Sequence, residues 1–374
     1  MTLLNTARAL PHGRRGSRDN GRARMSVREI AERTGVSVAT VSRVLNNKPN
    51  VSPDTRDRIL TAINDTGYVP RVGRRDSNVI GLVYAGPDAA RTYGDFDSAV
   101  LAGVLQATRE RHYDLKIIDL ERDWSPAEAY TQFFIRKGLA GVILRTTEAR
   151  RHICRTIAEE GFPHIVVAEN FGKEPVNYIY SESKANSKRA IQHLLHLGHT
   201  RIGLAVHSEP ASDLRDRAKA YEETITDAGL QVDPHLMVQI FADPAGGASA
   251  VNELLCQPDP ATAIYFTNPL SMLGALRRCA QLGVRVPEEL SIVGFDDSDV
   301  RTHVFPPCTA VCQDARALGQ EAAAWLMRML SGSESPVCQR VVPTAFEINQ
   351  STSLRPAEPV RILADGTRVA SGAS

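Results

Sequence analysis

The sequence predicts a small all-α head followed by a large α/β body of two subdomains built on parallel sheets. Three observations carry this reading. The 374 residues exceed one ordinary domain. Apolar positions recur at helical spacing through residues 26–68, then give way to short β-branched runs alternating with amphipathic stretches. Charge is divided unevenly beneath a net of +1: 15 Lys and Arg stand against 7 Asp and Glu in residues 1–78, and 29 against 36 in the rest. A basic head on a mildly acidic body assigns any polyanion contact to the head.

Taken in order, residues 1–25 form an Arg-, Gly- and Ser-rich basic extension that reads as disordered. Met25 stands directly before the first patterned segment and is an alternative start. Val27, Ile30 and Ala31 share one face of a first helix, Val27–Arg33, which Gly35 breaks. Ser37 caps a second helix, Val38–Leu45, with Val41, Val44 and Leu45 packing inward. Ser52, with Pro53 at the first helical position, opens a third helix that ends near Gly67 and packs through Ile59, Leu60, Ala62 and Ile63. The head thus spans 26–70, and residues 71–78 form a short basic linker. In the body, 79–350, strands are expected at Val79–Ala85, Leu115–Leu120, Gly141–Leu144, His164–Ala168, Ile202–Val206, Ala263–Phe266 and Ser291–Phe295. Helices are expected over 97–111, 126–137, 149–160, 184–197, 213–228, 246–256 and 270–282, an alternation that argues for parallel sheets. Residues 351–374 read as a disordered tail.

Two short helices joined by a tight Gly-containing turn on a basic domain make a helix-turn-helix. Its second helix is the candidate DNA-recognition element. Val38 and Ala39 suit thymine methyls, and Arg43 suits bidentate bonding to guanine. Ser37, Thr40, Ser42, Asn46, Asn50, Ser52 and Thr55 offer neutral donors for phosphates, and Arg71 and Arg74 extend the basic surface into the linker.

The segment VREIAERTGVSVATVSRVLNNKPNVSPDTRDRILTAINDTGYVP resembles, almost position by position, the DNA-binding domain of the LacI/GalR family of transcriptional regulators. The resemblance continues through IGLVYAG, LAGVILRT, HLLHLGHTRIGLAVH and PPCTAVCQDARALGQEAAAWLM, and covers roughly residues 26–350. It implies a body like a periplasmic sugar-binding protein, with a ligand held between two α/β subdomains. It also implies a homodimer on a pseudo-palindromic DNA operator, a small-molecule effector of carbohydrate type, no cofactor and a cytoplasmic location. Carried over residue by residue, it nominates Phe96, Arg217, Asn268 and Asp296 for the effector site. Arg145, at the end of a strand, is added from its position. Departures are present: Ala220 replaces a glycine, Asp97 an aromatic and Pro269 an aspartate. The linker departs most. Relatives continue beyond GYxP with a segment like NALARSL, which forms a hinge helix with a groove-wedging leucine. Here only the nine residues Arg71–Val79 separate Pro70 from Ile80, without a leucine. Little operator bending is therefore expected, with Arg71, Arg74 and Arg75 acting as an extended arm.

Other classes find less support. No apolar run approaches a membrane span, and no secretory h-region opens the chain, which argues against a solute receptor. The cysteines at 154, 256, 279, 308, 312 and 338 lie scattered without CxxC pairs, as reduced thiols do. No P-loop, GxSxG elbow or HExxH nominates an enzyme. His193, His196 and His199 offer a metal face only on paper, because Gly198 interrupts their helix.

Overall fold

The computed structural model describes residues 27–45, 51–66, 77–85, 95–208, 211–297 and 299–369. They fall into two compact units that divide between residues 72 and 73.

In the head, α1 (Val27–Thr34), α2 (Val38–Leu45) and α3 (Pro53–Thr66) close around Ile30, Ala31, Val41, Val44, Ile59 and Ile63. Gly35 takes φ +64° and ends α1, and Val36 donates its N–H back to the Ala31 carbonyl at 3.1 Å. Only glycine adopts that angle without strain. Ser37 caps α2 by accepting the Thr40 N–H at 3.1 Å, and Ser52 caps α3 by accepting the Thr55 N–H at 3.3 Å.

The body holds two six-stranded sheets. The first joins β1 (Val79–Tyr84), β2 (Asp114–Asp119), β3 (Gly141–Arg145), β4 (His164–Val167), β5 (Tyr178–Glu182) and β11 (Gln339–Pro343), in the order β11-β5-β4-β3-β1-β2. The second joins β6 (Ile202–His207), β7 (Met237–Ile240), β8 (Ala263–Phe266), β9 (Ser291–Asp296), β10 (Thr309–Cys312) and β12 (Ala345–Glu347), in the order β12-β10-β9-β8-β6-β7. Every pairing is parallel except β10 with β12. The strands β4, β8 and β9 are buried on both faces, as a sheet covered by helices requires.

Helices cover both faces of each sheet. On the first lobe α4 (Asp95–Glu110) and α12 (Ala315–Leu330) pack through Val100, Val104, Leu318 and Leu326. Their backbones approach so closely that a Cβ on Gly103 would lie 1.9 Å from the Arg316 carbonyl. The other face carries α6 (Tyr130–Arg136) and α7 (Arg151–Glu159), after the short α5 (Leu120–Asp123). On the second lobe α8 (Lys184–His196) and α9 (Ser212–Asp227) lie on one face, and α10 (Pro244–Leu255) and α11 (Pro269–Leu282) on the other. The chain crosses between lobes after β5, after β10 and after β11. Thr344, in the last crossover, donates to the Glu182 carbonyl at 2.9 Å and accepts from Asn186 Nδ2 at 3.1 Å, which ties it to the first.

All seven expected strands are present within one residue at either end. The structure adds β5, β7, β10, β11, β12, the short α5 and α12. Helix α6 starts at Tyr130 and not at 126, because the Glu160 carboxylate accepts the Tyr130 and Thr131 N–H groups at 3.2 and 2.6 Å. One expectation is overturned outright. Residues 351–369 are packed, not disordered: Ser351 accepts the Ile292 N–H at 2.8 Å, Ile362 donates to the Leu255 carbonyl at 3.0 Å, and Val360 and Ile362 are buried against α10 and α11. Their polar residues satisfy backbone groups at the sheet's edge while two aliphatic side chains complete the core. Residues 1–25 and 370–374 lie outside the described residues, as do all but the last two positions of the 71–78 linker.

Candidate functional site

The head presents α2 with Val38, Ala39 and Arg43 exposed and Ser42 half-buried. Its inner positions Val41 and Val44 are fully packed, so the residues expected to read bases are those that packing leaves over. Ser37 and Ser52 do more than await a phosphate. Each hydroxyl caps its helix and pairs with the hydroxyl of the third residue on, Thr40 at 2.9 Å and Thr55 at 2.8 Å. Both serines stay exposed, so these paired hydroxyls sit where α2 and α3 concentrate free N–H groups. Asn46, Asn50, Arg71, Arg74 and Arg75 lie outside the described residues.

In the body, open parallel sheets bind ligands beyond the carboxyl ends of their strands. Most of the sequence-nominated residues lie at such ends. Phe96 and Asp97 begin α4 after β1, and Arg145 ends β3. Arg145 Nε meets Asp97 Oδ1 at 2.7 Å, its NH1 donates to the Val167 carbonyl at 2.9 Å, and its guanidinium lies 4.8 Å from the Phe96 ring centre. Phe96 and Arg145, nominated separately, therefore form one cluster with Asp97.

Across the cleft, Arg217 on α9 is almost wholly buried. Its guanidinium stacks 3.4 Å from the Phe295 ring centre, NH1 donates to the Thr267 carbonyl at 2.6 Å, and NH2 pairs with Asp213 at 2.6 Å. Asn268 shapes the backbone at the end of β8. Its Oδ1 accepts the Leu270 and Ser271 N–H groups and so caps α11, with Pro269 at the first helical position. This accounts for the proline that replaces the family's aspartate.

Asp296 is held within the protein. Its buried carboxylate accepts from the Arg301 N–H at 3.1 Å and pairs with Arg301 NH1 at 2.9 Å. Arg301 further holds Asp299 and Glu347 at 2.7 Å each, which fixes the loop after β9 to β12. The next residue, Asp297, is buried as well, with Gln313 as its hydrogen-bond partner. Burial pushes its carboxyl up to about 6, although a hydrogen bond from Gln313 Nε2 at 2.6 Å and the Arg217 charge oppose the shift.

No motif in the chain points to Glu169. It follows Ala168, a non-glycine residue held at φ +66°, and is fully buried. Its carboxylate accepts from the Ser212 hydroxyl and from the Ser212 N–H at 3.2 Å, and pairs with Arg151 at 3.0 Å. Burial raises its pKa, while the Ser212 bonds and Arg151 counter the rise. Glu169 belongs to the first lobe and Ser212 to the second, so this contact bridges the cleft. Arg215 with Glu148 and Tyr180 with Asp216 bridge it too. Beside these bridges lies a groove of about 400 Å³ lined by Arg151, Phe171, Ser212, Arg215 and Lys219.

Among the described residues no group of His, Cys, Asp or Glu is placed to hold a metal, and no helix is long and apolar enough to cross a membrane. His193 bonds Thr352, and His199 bonds Thr262 and the Ser353 carbonyl, so both tie the last segment to the second lobe.

With this geometry in place, residues 26–71 match the model for bacterial regulatory proteins of the lacI family, and residues 191–352 match a periplasmic binding protein-like domain. The HTH-type transcriptional regulator MalR of Streptomyces coelicolor is 29% identical over 343 residues, 88% of this chain and 97% of its own length. The regulator CelR of Thermobifida fusca is 28% identical over 337 residues, 88% of this chain and 99% of its own. A solved complex of the transcriptional regulator CelR with cellobiose superposes with a TM-score of 0.65 at 28% identity, covering 88% of this chain and 100% of the other.

Proposed function

The chain belongs to the LacI family of bacterial regulatory proteins, and we propose that it is a cytoplasmic, non-enzymatic repressor whose operator affinity is set by a carbohydrate bound between its lobes. The observation that carries the switch is the buried Arg217–Asp213–Asp297 cluster facing Arg145–Asp97. Paired charged donors and acceptors at strand ends suit the adjacent hydroxyls of a sugar. Cellobiose in the CelR complex supports the same ligand chemistry. Ligand must bind one arrangement of the lobes better than another, because a ligand indifferent to the two shifts nothing.

DNA reading falls to α2, with Val38, Ala39 and Arg43 at the bases and Ser37, Thr40, Ser42, Asn46, Asn50, Ser52 and Thr55 at phosphates. One such helix reads only a few base pairs, so the protein acts as a homodimer on a two-fold operator. Exposed apolar residues on the body, Leu105 and Ile117 on the first lobe and Phe241 and Phe305 on the second, are surfaces that a second copy would cover. Arg43→Ala should remove preference for the operator over random DNA and leave weak, salt-sensitive binding, a loss of about 1–3 kcal/mol per half-site. A mobility shift with DNA from beside its own gene tests this. Undiminished discrimination by the variant would move base reading off α2.

A further inference from the structure

The cations of the effector cleft are already neutralised by the protein itself. Arg145 is held by Asp97 at 2.7 Å, and Arg217 by Asp213 at 2.6 Å. Each guanidinium also donates to a backbone carbonyl and lies against an aromatic ring, Phe96 or Phe295. Arg301 is shared among three carboxylates, Asp296, Asp299 and Glu347. Asp297, by contrast, is buried with no cation at ion-pair distance among the described residues, only the amide of Gln313. These arginines are therefore all paired, and Asp297 is a buried carboxylate without an ion-pair partner among the described residues.

We infer that the effector is an uncharged, hydroxyl-rich molecule that donates a hydroxyl to Asp297, and that the cleft rejects phosphorylated or carboxylated ligands. This rests on the reading that the ligand binds between the lobes. An entering phosphate would have to draw a guanidinium away from its own carboxylate. That carboxylate would then stand uncompensated in a desolvated site, and the phosphate would face Asp297 as well. A neutral hydroxyl displaces nothing. It donates to the carboxylate and accepts from outward N–H groups of the arginines, whose ion pairs stay intact. Lys219, on the rim of the groove, has no partner among the described residues, but it is exposed and screened by solvent.

The test uses the full-length protein with inorganic phosphate and glucose 6-phosphate as probes, titrated by calorimetry at constant ionic strength. Wild type should show no saturable binding of either. Asp97→Asn frees Arg145 and Asp213→Asn frees Arg217, and each variant should acquire saturable phosphate binding, at least about tenfold tighter than the detection limit that bounds wild type. Should Asp97→Asn fail to fold, the more exposed Asp213→Asn carries the comparison. Saturable phosphate binding by wild type that Arg145→Met or Arg217→Met abolishes would overturn the inference. So would folded Asn variants that gain nothing, because the ion pairs would then not be what excludes anions. Failure of the underlying reading looks different: a neutral sugar would release operator equally from wild type and Arg217→Met, placing the ligand outside the cleft.

Discussion

Asn in place of Asp297 keeps the side chain's size and its bond from Gln313 Nε2 while removing a buried charge. In wild type, burial lifts this carboxyl from 3.8 to about 6. The sign follows from linkage. A group whose folded-state pKa is raised contributes stability that is complete below pH 3.8 and is lost as pH climbs through about 6. At pH 7.5 the folded protein therefore carries a cost of about 3 kcal/mol that Asn does not. Asp297→Asn should be more stable than wild type by about 2–3 kcal/mol at pH 7.5, with the difference closing to about zero near pH 4. Urea unfolding of both proteins at the two pH values, followed by fluorescence, measures it. Equal stability at both, or a variant weaker at pH 7.5, would show that a cation compensates the carboxylate and would refute the charge distribution derived for the cleft. The stabilised variant should also lose its effector response, as expected when a site keeps an unfavourable charge for its ligand.

Asp296→Ala should destabilise the body by about 3 kcal/mol, because it strips Arg301 of its one fully buried partner, a loss visible in the same unfolding experiment. Arg217→Met, in contrast, should leave operator affinity near wild type and abolish the response to ligand, as read by anisotropy of labelled operator. Ending the chain after Gln350 removes Ser351, Val360 and Ile362 from the second lobe and should cost about 3–6 kcal/mol, measured by thermal melting. Operator bending should be slight, since nine linker residues without leucine supply no groove wedge, and a sharp central kink in a circular-permutation assay would show that a hinge helix forms after all.

What the sequence made legible follows the physics of burial. The central strands are continuous β-branched runs, because both faces are covered, and these were readable to within a residue. The edge strand β11 and the three-residue β12 are mostly exposed, so no hydrophobic pattern marks them. Helix α12 is rich in alanine and carries Gly319 where α4 approaches its backbone, which weakens the amphipathic signal. In the site, Arg217, Arg145 and Phe96 were placed by strand ends and by family resemblance. The pairing of Asp296 with Arg301 was not legible. It depends on a turn with Asp299 at φ +66°, which brings Arg301 back onto Asp296. Glu169 carries no motif at all, and its Ser212 contact exists only because two lobes distant in sequence meet there.

A neutral sugar held in the cleft should change the head's affinity for its operator. Fluorescence anisotropy of an operator from beside the gene, titrated with wild type and Arg217→Met in the presence of neutral disaccharides such as cellobiose and maltose, tests it directly. The account predicts that a neutral sugar shifts the wild-type operator curve at least about tenfold, a coupling of about 1.4 kcal/mol, and leaves the Arg217→Met curve unmoved. A shift of equal size in both proteins, or one produced only by phosphorylated sugars, would contradict it.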